Sequence, residues 1–174
     1  MLENSKSESF RKRLVRRIGL LIFLVYVAAL VYFLFFAEWH GHTPGRYEEY
    51  QYNLMPFREI GRFWRHRRVL GRRSVYLNLG GNVAGFLPFG FFLPVITKKL
   101  RSGEKVTALG ACFSIVVELV QLLTKTGSCD VDDVMLNTLG TAAGYLLFLV
   151  CDHLRLNSRA KHRRRRLTEK KRKG

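Results

Sequence analysis

The sequence predicts an all-α integral membrane protein with four transmembrane helices and an amphipathic helix lying in the membrane interface within the first loop. Three observations lead there. The apolar residues collect in four blocks, Ile18–Phe36, Leu79–Ile96, Val106–Leu123 and Val134–Cys151. Each is close to the roughly 17–25 residues that cross a hydrocarbon core at about 1.5 Å rise per residue. The 30 Lys and Arg residues are distributed unevenly between the segments flanking these blocks. Finally, a loop segment after the first block carries aromatic and basic residues at helical spacing, the signature of a helix that lies on a membrane.

The first 17 residues are basic, with Lys6, Arg11, Lys12, Arg13, Arg16 and Arg17 ahead of the first block. Residues 18–36 form the first span. The apolar stretch is longer than the ~7–15 residues of a secretory h-region and no small-x-small site ends it, so it reads as an uncleaved signal anchor. Residues 37–78 form a loop. From Pro56 onward, Phe57, Ile60, Phe63 and Trp64 fall on one helical face, with Arg58, Glu59, Arg62 and Arg65 on the other. Proline suits a first helical turn, and the arginines would face headgroup phosphates. Residues 79–151 hold three further spans, and 152–174 form a basic tail, expected to be disordered over Arg159–Lys173.

Lys and Arg number six before the first span, eight in the first loop, four in the second, one in the third and eleven in the tail. The termini and second loop share a side and hold 21 of the 30, which places both termini in the cytoplasm. The eight positives of the first loop pull the other way. The formal charge of +17 would suggest a nucleic-acid partner if the apolar residues were scattered. Clustered as they are, and with no aromatic platform beside the tail, the expected partner is membrane lipid, with anionic headgroups at the tail.

The polar residues inside the spans carry the functional signal, because charged and amide groups are costly in hydrocarbon. Asn78, Gly81, Asn82 and Gly85 share one face of the second span; Gly110, Ser114, Glu118 and Gln121 share one of the third; Asp133, Asn137, Gly140 or Thr141, and Gly144 share one of the fourth. Gly81-x-x-x-Gly85 and Gly140-x-x-x-Gly144 match the spacing that lets transmembrane backbones approach closely, so the last three spans are expected to pack on these faces with the first more peripheral. Pro88 and Pro94 interrupt the second span, and a bend or kink is expected there. With cytoplasmic termini, Asn82, Gln121 and Asn137 lie within a turn of the outer boundary, with Glu118 about 8 Å below it at 1.5 Å per residue. The acidic connector Gly127-Ser-Cys-Asp-Val-Asp-Asp133 lies just above.

These residues resemble the VanZ-like family of small bacterial membrane proteins. The resemblance rests on Asn53-Leu-Met-Pro-Phe57, Asn78-Leu-Gly-Gly-Asn82, Phe86-Leu-Pro-Phe-Gly90 with Leu93-Pro94, Glu118-Leu-Val-Gln121, and Asp130-Val-Asp-Asp-Val-Met-Leu-Asn-Thr-Leu-Gly140 with Gly144-Tyr145, about residues 50–148. It implies an envelope protein associated with resistance to teicoplanin-type glycopeptides, and it marks Asn53, Pro56, Asn82, Pro88, Glu118, Gln121, Asp130, Asp132, Asp133 and Asn137. It implies no settled reaction.

The residues leave several chemistries open. Asp130, Asp132 and Asp133 could hold Mg²⁺ for a lipid-phosphate enzyme, though the spacing is not an EF-hand. Asp132 or Asp133 could instead cap the fourth span. Glu118 could pair with Lys125, interlock with Gln121, Asn82 and Asn137, contact a lipid-linked or glycopeptide-like ligand, or exchange protons in a small exporter. Cys112, Cys129 and Cys151 match no zinc or redox spacing, and His40 and His42 flank Gly41 without further ligands in view. No Ser-His-Asp or Cys-His arrangement is discernible and no cofactor is expected; the leading reading is non-enzymatic, and the residues leave catalysis open.

Overall fold

The computed structural model describes residues 2–36, 49–69 and 71–173. His40 and His42 lie outside them. Five helices and two short strands follow in order: α1 (Leu2–Phe36), β1 (Tyr52–Asn53), α2 (Arg58–Arg65), α3 (Arg72–Ile96), α4 (Gly103–Thr124), β2 (Cys129–Asp130) and α5 (Val131–Lys173), with a 3-10 turn at Lys98–Leu100 between α3 and α4. Four helices are long and apolar enough to cross a membrane, over Arg16–Phe35, Val75–Ile96, Gly103–Thr124 and Val131–Ser158. The chain is therefore a multi-pass helical membrane protein, and α2 is the expected short helix of the first loop.

The helices extend beyond the apolar blocks, because backbone hydrogen bonding continues wherever good helix formers follow a nucleated turn. The clearest case corrects the expected disordered tail: α5 runs without a break to Lys173. The tail has no proline, its only glycine is the last residue, and Arg, Lys and Leu propagate a helix already nucleated in the span. Basic residues near a helix C-terminus also suit its dipole.

The core is α3 against α5, with α4 beside them and α1 on the α3 side. Close approach is set by glycine. A Cβ at Gly140 would collide with the Val83 carbonyl, one at Gly144 with the Leu87 carbonyl, one at Gly90 with the Thr141 backbone, and one at Gly110 with the Thr141 side chain. The Gly140-x-x-x-Gly144 face thus seats directly on the backbone of α3. The companion expectation fails. A Cβ at Gly81 would meet nothing, and one at Gly85 would only touch a methyl of Leu30 on α1. The face of α3 that meets α5 is the Val83–Leu87–Gly90 ridge, so Gly81 and Gly85 point elsewhere. Phe86, Phe89 and Phe113 fill the space between α3 and α4, with the rings of Phe89 and Phe113 stacked 5.2 Å apart.

Helix α3 stays helical through Pro88 and Pro94. In the turn before Pro88, the Tyr26 hydroxyl of α1 donates to the Gly85 carbonyl, which ties α1 to α3. Only about 6% of the first span is buried, so it is peripheral. At the end of the bundle nearer the tail, the Tyr145 hydroxyl donates to the Arg101 carbonyl at 2.6 Å, and the Arg101 guanidinium lies over the Phe148 ring.

Candidate functional site

The opposite end, where α4 passes to α5, gathers most of the polar residues marked in the sequence. Helix α4 closes at Lys125, which adopts the left-handed conformation (φ 52°) and donates its N–H to the Leu122 carbonyl, while Thr126 N–H reaches the Gln121 carbonyl. This pair of bonds is a Schellman closure. It turns the chain sharply and delivers Cys129–Asp130 beside β1. The two strands pair in parallel, Tyr52 with Cys129 and Asn53 with Asp130. The first loop is therefore stitched to the α4–α5 connector by backbone bonds that no local sequence pattern announced.

The side chains tighten the stitch. Asp130 is buried; its carboxylate accepts from the Asn53 amide at 3.1 Å and from the Asp132 N–H at 2.8 Å. The second of these bonds makes Asp130 the N-cap of α5. Asp132, also buried, turns its carboxylate away from its own helix. It accepts from the N–H groups of Phe57, of Glu59 at 2.9 Å and of Ile60 at 3.0 Å, three of the donors that the start of α2 leaves without intrahelical partners. The expectation that Asp132 or Asp133 caps α5 is thus corrected twice: Asp130 caps α5, and Asp132 caps α2. Asp133 takes a third role and accepts from the Asn82 amide of α3.

Below this clamp, α4 and α5 face each other across a polar ladder. Glu118, 3% exposed, accepts the Asp130 N–H at 2.9 Å. One turn deeper, the Ser114 hydroxyl accepts from the Asn137 amide at 2.9 Å. Asn137 is 1% exposed, and its Oδ1 has no hydrogen-bond partner among the described residues. Thr141 donates to the Asn137 carbonyl at 3.0 Å, below the ladder. Gln121 leaves the group: its amide donates to the Leu34 carbonyl at 2.9 Å and ties the end of α1 to α4. The hydrogen bonds of Asn82, Glu118, Gln121 and Asn137 thus lead to four different places, and these residues do not interlock. Lys125 lies over the Tyr50 ring, 5.0 Å from its centroid.

The electrostatics outside the spans follow from burial. The Asp130 carboxyl is pushed above its ordinary value, chiefly by desolvation; the bonds from Asp132 N–H and Asn53 and the charge of Arg62 oppose this, and the Asp132 carboxylate adds to it. Glu59 is raised by desolvation against the pull of Arg62, with which it pairs at 2.5 Å. The Cys129 thiol is raised as well, first by burial and then by the charges of Glu118 and Asp130.

The three connector aspartates do not converge. Each binds donors from a different element, and among the described residues no three His, Cys, Asp or Glu side chains form a group able to hold a metal ion. The Mg²⁺ reading of Asp130, Asp132 and Asp133 accordingly has no geometric basis here. What the arrangement can do is present acceptors. Glu118 and Asp133 lie buried or half-buried at the connector end of the packed helices, with an unfilled Asn137 oxygen deeper on α5, under a clamped segment carrying α2.

The structure brings Asn53, Asn82, Glu118, Asp130, Asp132, Asp133 and Asn137 to the connector end and sends Gln121 to α1, and sequence reasoning missed this wiring. It missed Asp132 as the anchor of α2 and the pairing of Tyr52–Asn53 with Cys129–Asp130. The only signal for either was the Asn53-Leu-Met-Pro-Phe57 motif, marked by resemblance and not by spacing.

Among known protein families, residues 23–152 match the VanZ/LLP1 family. A curated relative, Protein VanZ from Enterococcus faecium, is 27% identical over 125 residues, 71% of this chain and 69% of the relative. No solved structure matches.

Proposed function

Because this chain belongs to the VanZ/LLP1 family, matched over about three-quarters of its length, we propose that it is an envelope protein that lowers susceptibility to teicoplanin-type glycopeptides by binding an amphipathic, glycopeptide-like or lipid-linked molecule at the connector end of its bundle. Both termini lie in the cytoplasm on this reading, and the connector end faces the outer leaflet. The distribution of Lys and Arg supports that orientation.

The observation that carries the proposal is the acceptor cluster itself. Buried carboxylates at the ends of membrane helices are expensive. Asp130 and Asp132 repay that cost structurally, through caps and a clamp. Among the described residues, Glu118 accepts from the Asp130 N–H, Asp133 accepts from the Asn82 amide, and the Asn137 oxygen accepts from no partner. This surplus of acceptors suits a ligand rich in hydroxyl, amide or ammonium donors, as a glycopeptide is. Binding, without bond making, is enough to reduce the free drug near its target.

The test uses cells that express the protein at matched membrane levels. Glu118→Gln and Asp133→Asn keep shape and replace one acceptor oxygen with an amide donor. Loss of teicoplanin tolerance in these variants supports the reading, and full tolerance in both overturns it.

A further inference from the structure

The segment Leu54–Phe57 exposes apolar side chains although it lies outside every span. Leu54, Met55 and Phe57 are 69%, 66% and 63% exposed. Exposed apolar residues on the four spans need no explanation, since lipid covers them. The same exposure in a turn between a strand and a helix does need one. The backbone makes the presentation costly: Phe57 adopts a left-handed conformation (φ 64°), rare for a bulky residue. Such strain persists only where the surroundings hold it, and it concentrates at functional segments. Here the holder is Asp132, whose carboxylate binds the Phe57 N–H, while Asn53 Oδ1 accepts the Met55 N–H at 3.2 Å.

The depth of the segment follows from the same bond. Asp132 is the second residue of the span Val131–Ser158, so the Phe57 backbone that it binds sits at the boundary of the apolar zone. Helix α2 rests on α3 and α5 at that level. It adds exposed Trp64 to the apolar face, and it carries exposed guanidiniums at Arg58 and Arg65. Apolar side chains flanked by arginines at a membrane boundary match an anionic bilayer surface in both polarity and charge.

We propose that Leu54, Met55 and Phe57 form a wedge that inserts into the leaflet at the connector end, with Arg58 and Arg65 binding anionic phospholipid headgroups and Asp132 acting as the positioning residue that fixes the wedge to α5. The occupant of this apolar surface is anionic lipid, whether or not the polar ladder takes a glycopeptide.

The experiment uses the full chain in nanodiscs. In a Cys112→Ala, Cys129→Ser, Cys151→Ala background, a bimane probe is placed at Met55→Cys and, as a control, at Arg68→Cys. The Met55 probe should emit at shorter wavelength than the control and be quenched by lipids brominated on the upper acyl chain. Both effects should grow when phosphatidylglycerol is added to phosphatidylcholine, and the added part should vanish at high salt. Emission equal to the control with no quenching by brominated lipid would overturn the wedge. A blue shift that follows protein density and ignores brominated lipid would assign the surface to a second copy and also overturn it. Equal signals with and without phosphatidylglycerol would overturn the arginine–phosphate contact. An otherwise native Trp39→Phe chain gives a label-free readout, since Trp64 is then the sole tryptophan. Its quenching by brominated lipid should fall when Asp132→Asn frees the segment, and unchanged quenching would overturn the positioning role.

Discussion

Asp132 offers the sharpest perturbation of the clamp. It is buried, and its two carboxylate oxygens accept three backbone N–H groups at the start of α2. In Asp132→Asn, one oxygen can still serve Phe57. The other becomes an NH₂ facing the Glu59 and Ile60 N–H groups, donor against donor. Loss of a side-chain cap costs about 1–2 kcal/mol, and an amide donor left unsatisfied costs about 1–3 kcal/mol more. Together these favour local opening of 52–60 by about 2–5 kcal/mol, roughly 30- to 5,000-fold in the opening equilibrium. Hydrogen exchange on the protein in nanodiscs measures this directly. The amides of Phe57, Glu59 and Ile60 should exchange faster by that factor, while those of α4 around Ser114 stay protected. Unchanged exchange at Glu59 and Ile60 would refute the argument, because it would mean that Asp132 does not hold the helix.

Other expectations concern packing, pH and orientation. Gly144→Ala places a methyl onto the Leu87 carbonyl and should destabilise the protein in detergent by about 1–3 kcal/mol, whereas Gly81→Ala should be neutral or favourable by up to about 1 kcal/mol; denaturant unfolding separates the two. The raised Asp130 carboxyl binds protons more tightly in the folded than in the unfolded chain. Its contribution is therefore fully present below the ordinary carboxylate value and is lost as pH rises through the higher folded value. Protection of the 52–60 amides, corrected for intrinsic exchange, should decline slightly across that window, and Asp130→Asn should flatten the decline. A membrane-impermeant maleimide, applied to intact cells at mildly alkaline pH because the Cys129 thiol is raised, should label Cys129 and leave Lys170→Cys unlabelled in a chain lacking Cys112 and Cys151. The reverse pattern would invert the orientation.

The parts of this molecule that the sequence made legible are those governed by periodicity. Four apolar blocks announced four membrane helices, and Gly140 and Gly144 announced a close backbone contact. The same glycine spacing misled at Gly81 and Gly85, because spacing identifies a face but not the neighbour that occupies it. The tail misled for a related reason: charge density suggested disorder, but the local propensity of Arg, Lys and Leu sustained the helix. The wiring of the polar site was not legible. Asp132 and the N–H groups that it binds lie 72–75 residues apart, and the Asn53–Asp130 pair lies 77 apart. Such pairs exist only once α3, α4 and α5 have folded back on one another.

The central claim is that Glu118 and Asp133 belong to a binding site and not only to the scaffold. Equilibrium binding of fluorescently labelled teicoplanin to the purified full chain in nanodiscs tests it most directly. The account predicts saturable binding that weakens at least about tenfold, or about 1.4 kcal/mol, in the Glu118→Gln, Asp133→Asn double variant. Equal affinity in a folded double variant, or no saturable binding to the native chain, would contradict it.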